Sequence, residues 1–275
     1  MSGAIGVFDS GVGGLSVLHH IRQALPNERL IYIADSAHVP YGDKTPEYIT
    51  QRSLTLTRFL IEQGADAIVI ACNTATAAAA STLRAEFKLP ILGMEPAVKP
   101  AVSATQSGVV GVLATIGTLE SARFAALLDK YAGKVEIVTQ GCPGLVEQVE
   151  QGELNSTKTR ELVERYTEPL LNRGADTLIL GCTHYPFLAP VIRDIVGKKI
   201  TLIDTGEAVA RHLKQRLETE VLSSRLGFSP TCRTEVRPTE QAEFFSSGDT
   251  AIASRIMSLL WNKTLEVRSL PDALT

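Results

Sequence analysis

The strongest constraint on the fold is an internal repeat. Gly64-Ala65-Asp66 precedes an apolar run that leads into Cys72-Asn73-Thr74. Gly174-Ala175-Asp176 precedes a second run that leads into Cys182-Thr183-His184, 110 residues later throughout. Upstream, Gly6-Val7-Phe8 matches Gly111-Val112-Leu113 at a spacing of 105, and the run before Asp35 matches the run before Gln140 at the same spacing. One insertion of about five residues reconciles the two spacings, so the chain is expected to build one unit twice.

That unit is α/β. Short runs rich in Val and Ile lie at 5–8, 30–34, 67–71, 90–93, 109–113, 135–139, 177–180 and 200–203. They are apolar without alternation, as parallel strands covered on both faces are. Helical segments are expected between them at 14–25, 47–63, 75–87, 118–131 and 158–173. The alternation predicts two pseudo-symmetric α/β domains with mainly parallel sheets and a site in the cleft between them. The expected division is 1–98 plus 207–275 for a discontinuous first domain and 99–206 for the second. Beyond the second copy, 208–217 reads as a helix, Phe244-Phe245 as the end of a strand, and 250–261 as a last helix. The polar stretch 229–241, with two prolines, reads as a loop.

Composition narrows the function classes. The net charge of -3 gives no reason to expect nucleic acid or an anionic membrane as partner. No apolar run approaches the roughly 18 residues of a membrane helix. The N-terminus has neither a basic n-region nor a long apolar stretch, so a cytoplasmic protein is expected. Cys72, Cys142, Cys182 and Cys232 form no CxxC pair and no metal-ligand spacing. The ordinary state of such thiols is burial as small apolar groups.

Two of the four stand apart because the repeat pairs them. Cys72 and Cys182 each end a strand, at the sheet edge where open α/β folds bind ligands. A helix is expected to start after Cys72, with Thr74 as its N-cap, and its free N–H groups favour a thiolate or a carboxylate. If the copies pack with these edges facing, the thiols face across a cleft. Such a pair suits stereoinversion, one group removing a proton and the other returning one from the opposite face. The alternative is a redox pair, whose disulfide needs the sulfurs within about 2 Å and leaves no room for substrate.

Three further elements lie at the same edge. The loop Asp9-Ser10-Gly11-Val12-Gly13-Gly14 is neither a Walker A motif nor GxGxxG, but its glycines permit close backbone approach and suit an anion cradle. Asp9 is placed to bind an ammonium group or to hydrogen-bond a base. The loop Asp35-Ser36-Ala37-His38-Val39-Pro40-Tyr41-Gly42 offers hydroxyls and N–H groups to a small polar ligand. His184, two residues after Cys182, can support a thiolate or polarise a carboxylate. His19, His20 and His212 fall on helices and read as surface or packing residues.

Taken together, the chain resembles the glutamate racemases of bacterial cell-wall synthesis. The matching segments include IGVFDSGVGGLSVL at 5–18, VPYG at 39–42, ACNTAT at 71–76, VLATIGT at 112–118, GCPGLVEQVE at 141–150, GCTHYP at 181–186, LIDTGEAVA at 202–210 and FFSSGD at 244–249. The resemblance implies interconversion of L- and D-glutamate by two bases, with no cofactor and no metal, in a homodimer. By position, Cys72 would handle the proton on the D-glutamate face and Cys182 that on the L-glutamate face, assisted by Asp9, His184 and Glu150. Glu147 competes with Glu150 for the last role. Around the substrate the resemblance places Asp9, Ser10, Asp35, Ser36, Pro40, Tyr41, Gly42, Cys72, Asn73, Thr74, Thr115, Thr118, Cys182, Thr183 and His184. The tail after Trp261 carries no family motif. The nearest alternative is an aspartate racemase, which would share fold and thiols. A non-catalytic role restraining a nucleic-acid enzyme is the alternative from another class.

Overall fold

The apolar runs become strands, buried from both sides in the middle of each sheet but partly exposed at 136–141 and 201–203 on the edges of the second, and each helix between them carries the chain back to start the next parallel strand. The structure, a computed structural model, describes residues 4–131, 133–225 and 242–274. The first half runs β1 (Ala4–Asp9), α1 (Leu15–Ala24), β2 (Arg29–Ala34), α2 (Pro46–Glu62), β3 (Ala65–Ile70), α3 (Asn73–Glu86) and β4 (Ile91–Leu92). After α4 (Val98–Ala104) the second half follows as β5 (Val109–Ala114), α5 (Ile116–Leu119), α6 (Ala122–Asp129), β6 (Glu136–Gly141), α7 (Leu145–Glu150), α8 (Thr157–Asn172), β7 (Thr177–Leu180), α9 (Ala189–Val196) and β8 (Thr201–Ile203). Helix α10 (Gly206–Arg225) packs on α1, and β9 (Ala242–Ser246), α11 (Thr250–Trp261) and β10 (Val267–Ser269) return to the first sheet. The expected loop 229–241, Cys232 included, lies outside the described residues.

Among the described residues the strands form two parallel sheets, β10-β9-β2-β1-β3-β4 and β6-β5-β7-β8. The repeat is visible in their order. The rung Tyr32–Val7–Val69–Leu92 of the first sheet answers to Thr139–Val112–Ile179–Ile203 of the second. The spacing therefore grows along the chain from 105 (Val7 to Val112) through 107 (Tyr32 to Thr139) to 110 (Val69 to Ile179). This corrects the pairing expected for β2. The position matching Asp35 is Cys142, not Gln140, because two residues are gained before β6.

The expected helix over 118–131 is two helices. Thr115 caps the first by accepting the N–H of Thr118, and Ser121 caps the second by accepting that of Phe124. A hydroxyl that takes a backbone N–H competes with the helix ladder and restarts it. One core cluster runs through both halves, from Val7, Leu18 and Val69 to Leu145, Leu180 and Tyr185, so the halves pack on a shared apolar interior.

Entry into the second sheet is pinned by Asp176. Its carboxylate accepts the Thr105 hydroxyl at 2.6 Å and the N–H groups of Gln106 and Ser107 at 2.7 Å each. Burial pushes its carboxyl up, but the hydrogen bonds together outweigh that and hold its pKa at about 2. A carboxyl depressed below its unfolded value of about 3.9 stabilises the fold above that pH and loses the effect as pH falls through the folded value. Asp176→Asn should therefore lower the thermal midpoint by a few degrees at pH 7. In melts recorded against pH, the gap to the parent should narrow between about pH 4 and 2.

Candidate active site

Each half brings its thiol to the same cleft. Ser10, Pro40, Tyr41, Gly42, Cys72, Asn73 and Thr74 line it from the first half, and Thr115, Val146, Cys182, Thr183 and His184 from the second. Both thiols are free and nearly buried, at 5% and 7% exposure. About 10 Å³ between the walls is open to the centre of a water molecule, which is one water's worth.

The sulfur of Cys72, rather than Thr74, caps α3. Cys72 has extended backbone and accepts the N–H of Ala75 at 3.4 Å, whereas Thr74 is already inside the helix. Beside it, Asp9 ends β1 fully buried. The N–H groups of Ser10 (2.8 Å) and Gly14 (2.6 Å) and the hydroxyl of Thr183 (3.2 Å) donate to its carboxylate. Burial pushes the Asp9 carboxyl up, and the charge of His184 and the Cys72 thiol pull it back. The Cys72 thiol is pushed well up by burial first and by the Asp9 carboxylate second.

The other side is built differently. His184 Nδ1 lies 3.7 Å from Cys182 Sγ, and Nε2 lies 2.6 Å from Glu150 Oε1. Burial opposes a charge on His184, but its bonds to Cys182 and Glu150 raise its pKa well above the usual histidine range. The ring thus lies between a carboxylate and a sulfur, an arrangement that favours its protonated form. Glu150, and not Glu147, makes this contact, at the last residue of α7.

The glycine-rich loop is not a free anion cradle. Two of its N–H groups bind Asp9, and that of Val12 binds Glu150 at 2.7 Å. Gly11 and Gly13 serve the approach of the second half. A Cβ on Gly11 would lie 1.9 Å from Glu150 Oε1, and one on Gly13 would lie 2.3 Å from His184 Nδ1.

The predicted binding residues divide. Thr74, Thr115 and Thr118 form a triangle of hydroxyls across the halves, with sides of 2.9, 3.1 and 2.9 Å, in which Thr118 stands behind the lining. Asn73 is 4% exposed, and neither its amide nitrogen nor its oxygen has a hydrogen-bond partner among the described residues. A buried amide without partners is costly, so a polar ligand in this cleft gains from meeting it. Asp35 and Ser36 do not line the cleft. Asp35 lies behind Tyr41, whose hydroxyl donates to it at 2.6 Å. Three neighbours were not legible in the sequence. Val146 lines the cleft, Ser16 donates to the Thr183 carbonyl at 2.8 Å, and Tyr32 donates to the Gly11 carbonyl at 2.7 Å. Serine on a helix and tyrosine in a strand carry no signal of such contacts. Among the described residues, no three His, Cys, Asp or Glu side chains are gathered as a metal-ligand group.

The chain is an amino-acid racemase, an isomerase. It belongs to the Asp/Glu/Hydantoin racemase family, whose model matches residues 5–213. A glutamate racemase of Methylococcus capsulatus is 57% identical over 267 residues, 97% of this chain and 95% of that one. The structure of a glutamate racemase isoform from Bacillus anthracis has a TM-score of 0.85 at 29% identity, covering 99% of both chains. That of Escherichia coli glutamate racemase, in complex with L-glutamate and the activator UDP-MurNAc-ala, has a TM-score of 0.82 at 30% identity, covering 98% of both.

Proposed function

We propose that the chain interconverts L- and D-glutamate by proton transfer at Cα between two thiol groups. The observation that carries this reading is the cleft itself, lined by Cys72 from one half and Cys182 from the other. Cys182, as thiolate beside the His184 imidazolium, takes the Cα proton of L-glutamate. The Cys72 thiol gives its proton to the opposite face, and Asp9 and Ser10 attend that exchange. The reverse reaction runs from Cys72 as base. One proton leaves and one arrives, so the carbon inverts without net change in charge.

The Cα proton is a very weak acid, so the site must hold the developing carbanion with fixed donors in a dry space. Asn73, Thr74, Thr183 and the N–H groups at the start of α3 are the donors for the substrate's polar groups. Ser10, Pro40, Tyr41, Gly42 and Thr115 complete the wall, with Asp35, Ser36 and Thr118 supporting from behind. Glutamate exceeds one water's volume, so the halves part to admit it and close for reaction. The two domains of this motion are 1–98 with 207–275, and 99–206.

Glutamate as substrate is supported by the relatives, and a cell-wall role by the nucleotide activator bound to the E. coli protein. Supply of D-glutamate to peptidoglycan synthesis, in the cytoplasm and by a homodimer, follows from the resemblance. No described helix is long and apolar enough to cross a membrane. Incubation with L-glutamate in deuterated water tests the reading. The D-glutamate formed should carry deuterium at Cα while unreacted L-glutamate keeps its hydrogen early in the reaction. Cα exchange into aspartate but not glutamate overturns the substrate assignment.

A further inference from the structure

Behind the wall of the cleft, and not lining it, lies an ion pair. Asp35 is fully buried at the end of β2, and Arg52 of α2 grips it with a fork, Nη2 to Oδ1 at 2.6 Å and Nε to Oδ2 at 3.0 Å. The Tyr41 hydroxyl donates to Oδ2 from the other side. The same Arg52 Nη2 donates to the main-chain carbonyl of Leu274, at 2.9 Å. The end of the tail thus meets the back of the cleft.

The route of the tail explains how it gets there. Strand β10 adds to the edge of the first sheet beside β9, and the Leu270 N–H donates to the Ser246 carbonyl. Leu270 is 1% exposed, in the same apolar cluster as Ile33, Tyr41 and Phe245. A short 3-10 turn, Asp272–Leu274, then carries the chain to Arg52. The side of Tyr41–Gly42 away from this network faces the second half. A Cβ on Gly42 would lie 3.2 Å from Thr115. Movement of Tyr41 therefore changes the width of the cleft.

We propose that Arg52 is a positioning residue for the Pro40–Gly42 wall, and that residues 267–274 form a strap that fixes its guanidinium. The fork needs arginine. A lysine keeps the charge, but one ammonium cannot grip both carboxylate oxygens and reach Leu274. The kinetic part of this proposal rests on the glutamate racemase reading, whereas its structural part does not.

Two variants test it, Arg52→Lys and a chain ending at Leu270, each compared with the full-length parent. Arg52→Lys should raise KM for both glutamate enantiomers by about tenfold, with kcat within about threefold. The shortened chain should raise the same KM by a factor of about 3, because it removes one of the contacts that fix the guanidinium. Amide hydrogen exchange should quicken over 38–44 in both variants and stay unchanged over 177–182. Unaltered KM and exchange in both variants overturn the proposal. A lower thermal midpoint without faster exchange over 38–44 also overturns it, since the role is then only structural. If the parent fails to turn over glutamate, the racemase reading falls, and the exchange measurement still decides the strap.

Discussion

Cys182→Ser should lower glutamate racemisation by about a thousandfold or more, and Cys72→Ser should do the same. Serine keeps the size and nearly the shape of cysteine, so the walls of a cleft with room for one water stay in place. What changes is acidity. A hydroxyl is a far weaker acid than a thiol, and neither proton acceptance nor donation then runs near neutral pH. Both directions should fall together, since each passes through both groups and the equilibrium between mirror-image free amino acids is one. Steady-state rates from each enantiomer check this, with thermal midpoints within a few degrees of the parent to show intact folds. Retained turnover in both serine variants would mean that the thiols do not carry the proton. The serine variants also bear on the redox alternative, because loss of racemisation is not expected if the thiols only form a disulfide.

Gly13→Ala should cost about a hundredfold in kcat/KM, although it adds only one methyl group, to a residue with no side chain of its own. The added Cβ would sit 2.3 Å from His184 Nδ1. His184 has little room to retreat, being 1% exposed and tied to Glu150 at 2.6 Å. The clash therefore turns the ring that stands 3.7 Å from Cys182, or it holds the two halves apart. Gly13 is not among the residues with positive φ, so alanine meets no backbone strain there and only space is at issue. The folded variant should keep most of its stability, partly because alanine restricts the unfolded chain. A loss of thermal midpoint in proportion to the loss of activity would show that the residue serves packing and not the site. Gly11→Ala should behave alike through Glu150, whose Oε1 would lie 1.9 Å from the new methyl group.

Much of this site was legible one residue at a time. Cys72 and Cys182 stood out because the repeat gave them matching places, and their strands showed as uninterrupted apolar runs. Asp9 and His184 followed as neighbours of strand ends, and Ser10 and Thr183 from the family resemblance. Other features needed distances between segments far apart in the chain. Glu150 and Glu147 are equivalent as letters, and only the end of α7 against His184 separates them. The glycines at 11 and 13 read as an anion cradle, because nothing local shows that the groups they face come from the other half. Asp35 looked like a ligand to substrate, yet Arg52 and Tyr41 claim its carboxylate. The break at Ser121 was missed because helical periodicity continues across it, while a single cap hydrogen bond decides where the ladder restarts.

The sequence by itself determined the α/β class, the doubling of the unit and the placing of one thiol at the end of the third strand in each copy. These follow from periodicity and spacing, which are properties of the chain taken in order. Tertiary structure alone decided that the thiols share one cleft, that their surroundings differ, and that the tail reaches Arg52. Those facts depend on how the two halves pack over a common core, where a carboxylate 138 residues away comes to lie against the N–H of Val12. The repeat made the two thiols equivalent, and packing made one the neighbour of a carboxylate and the other of a histidine ring.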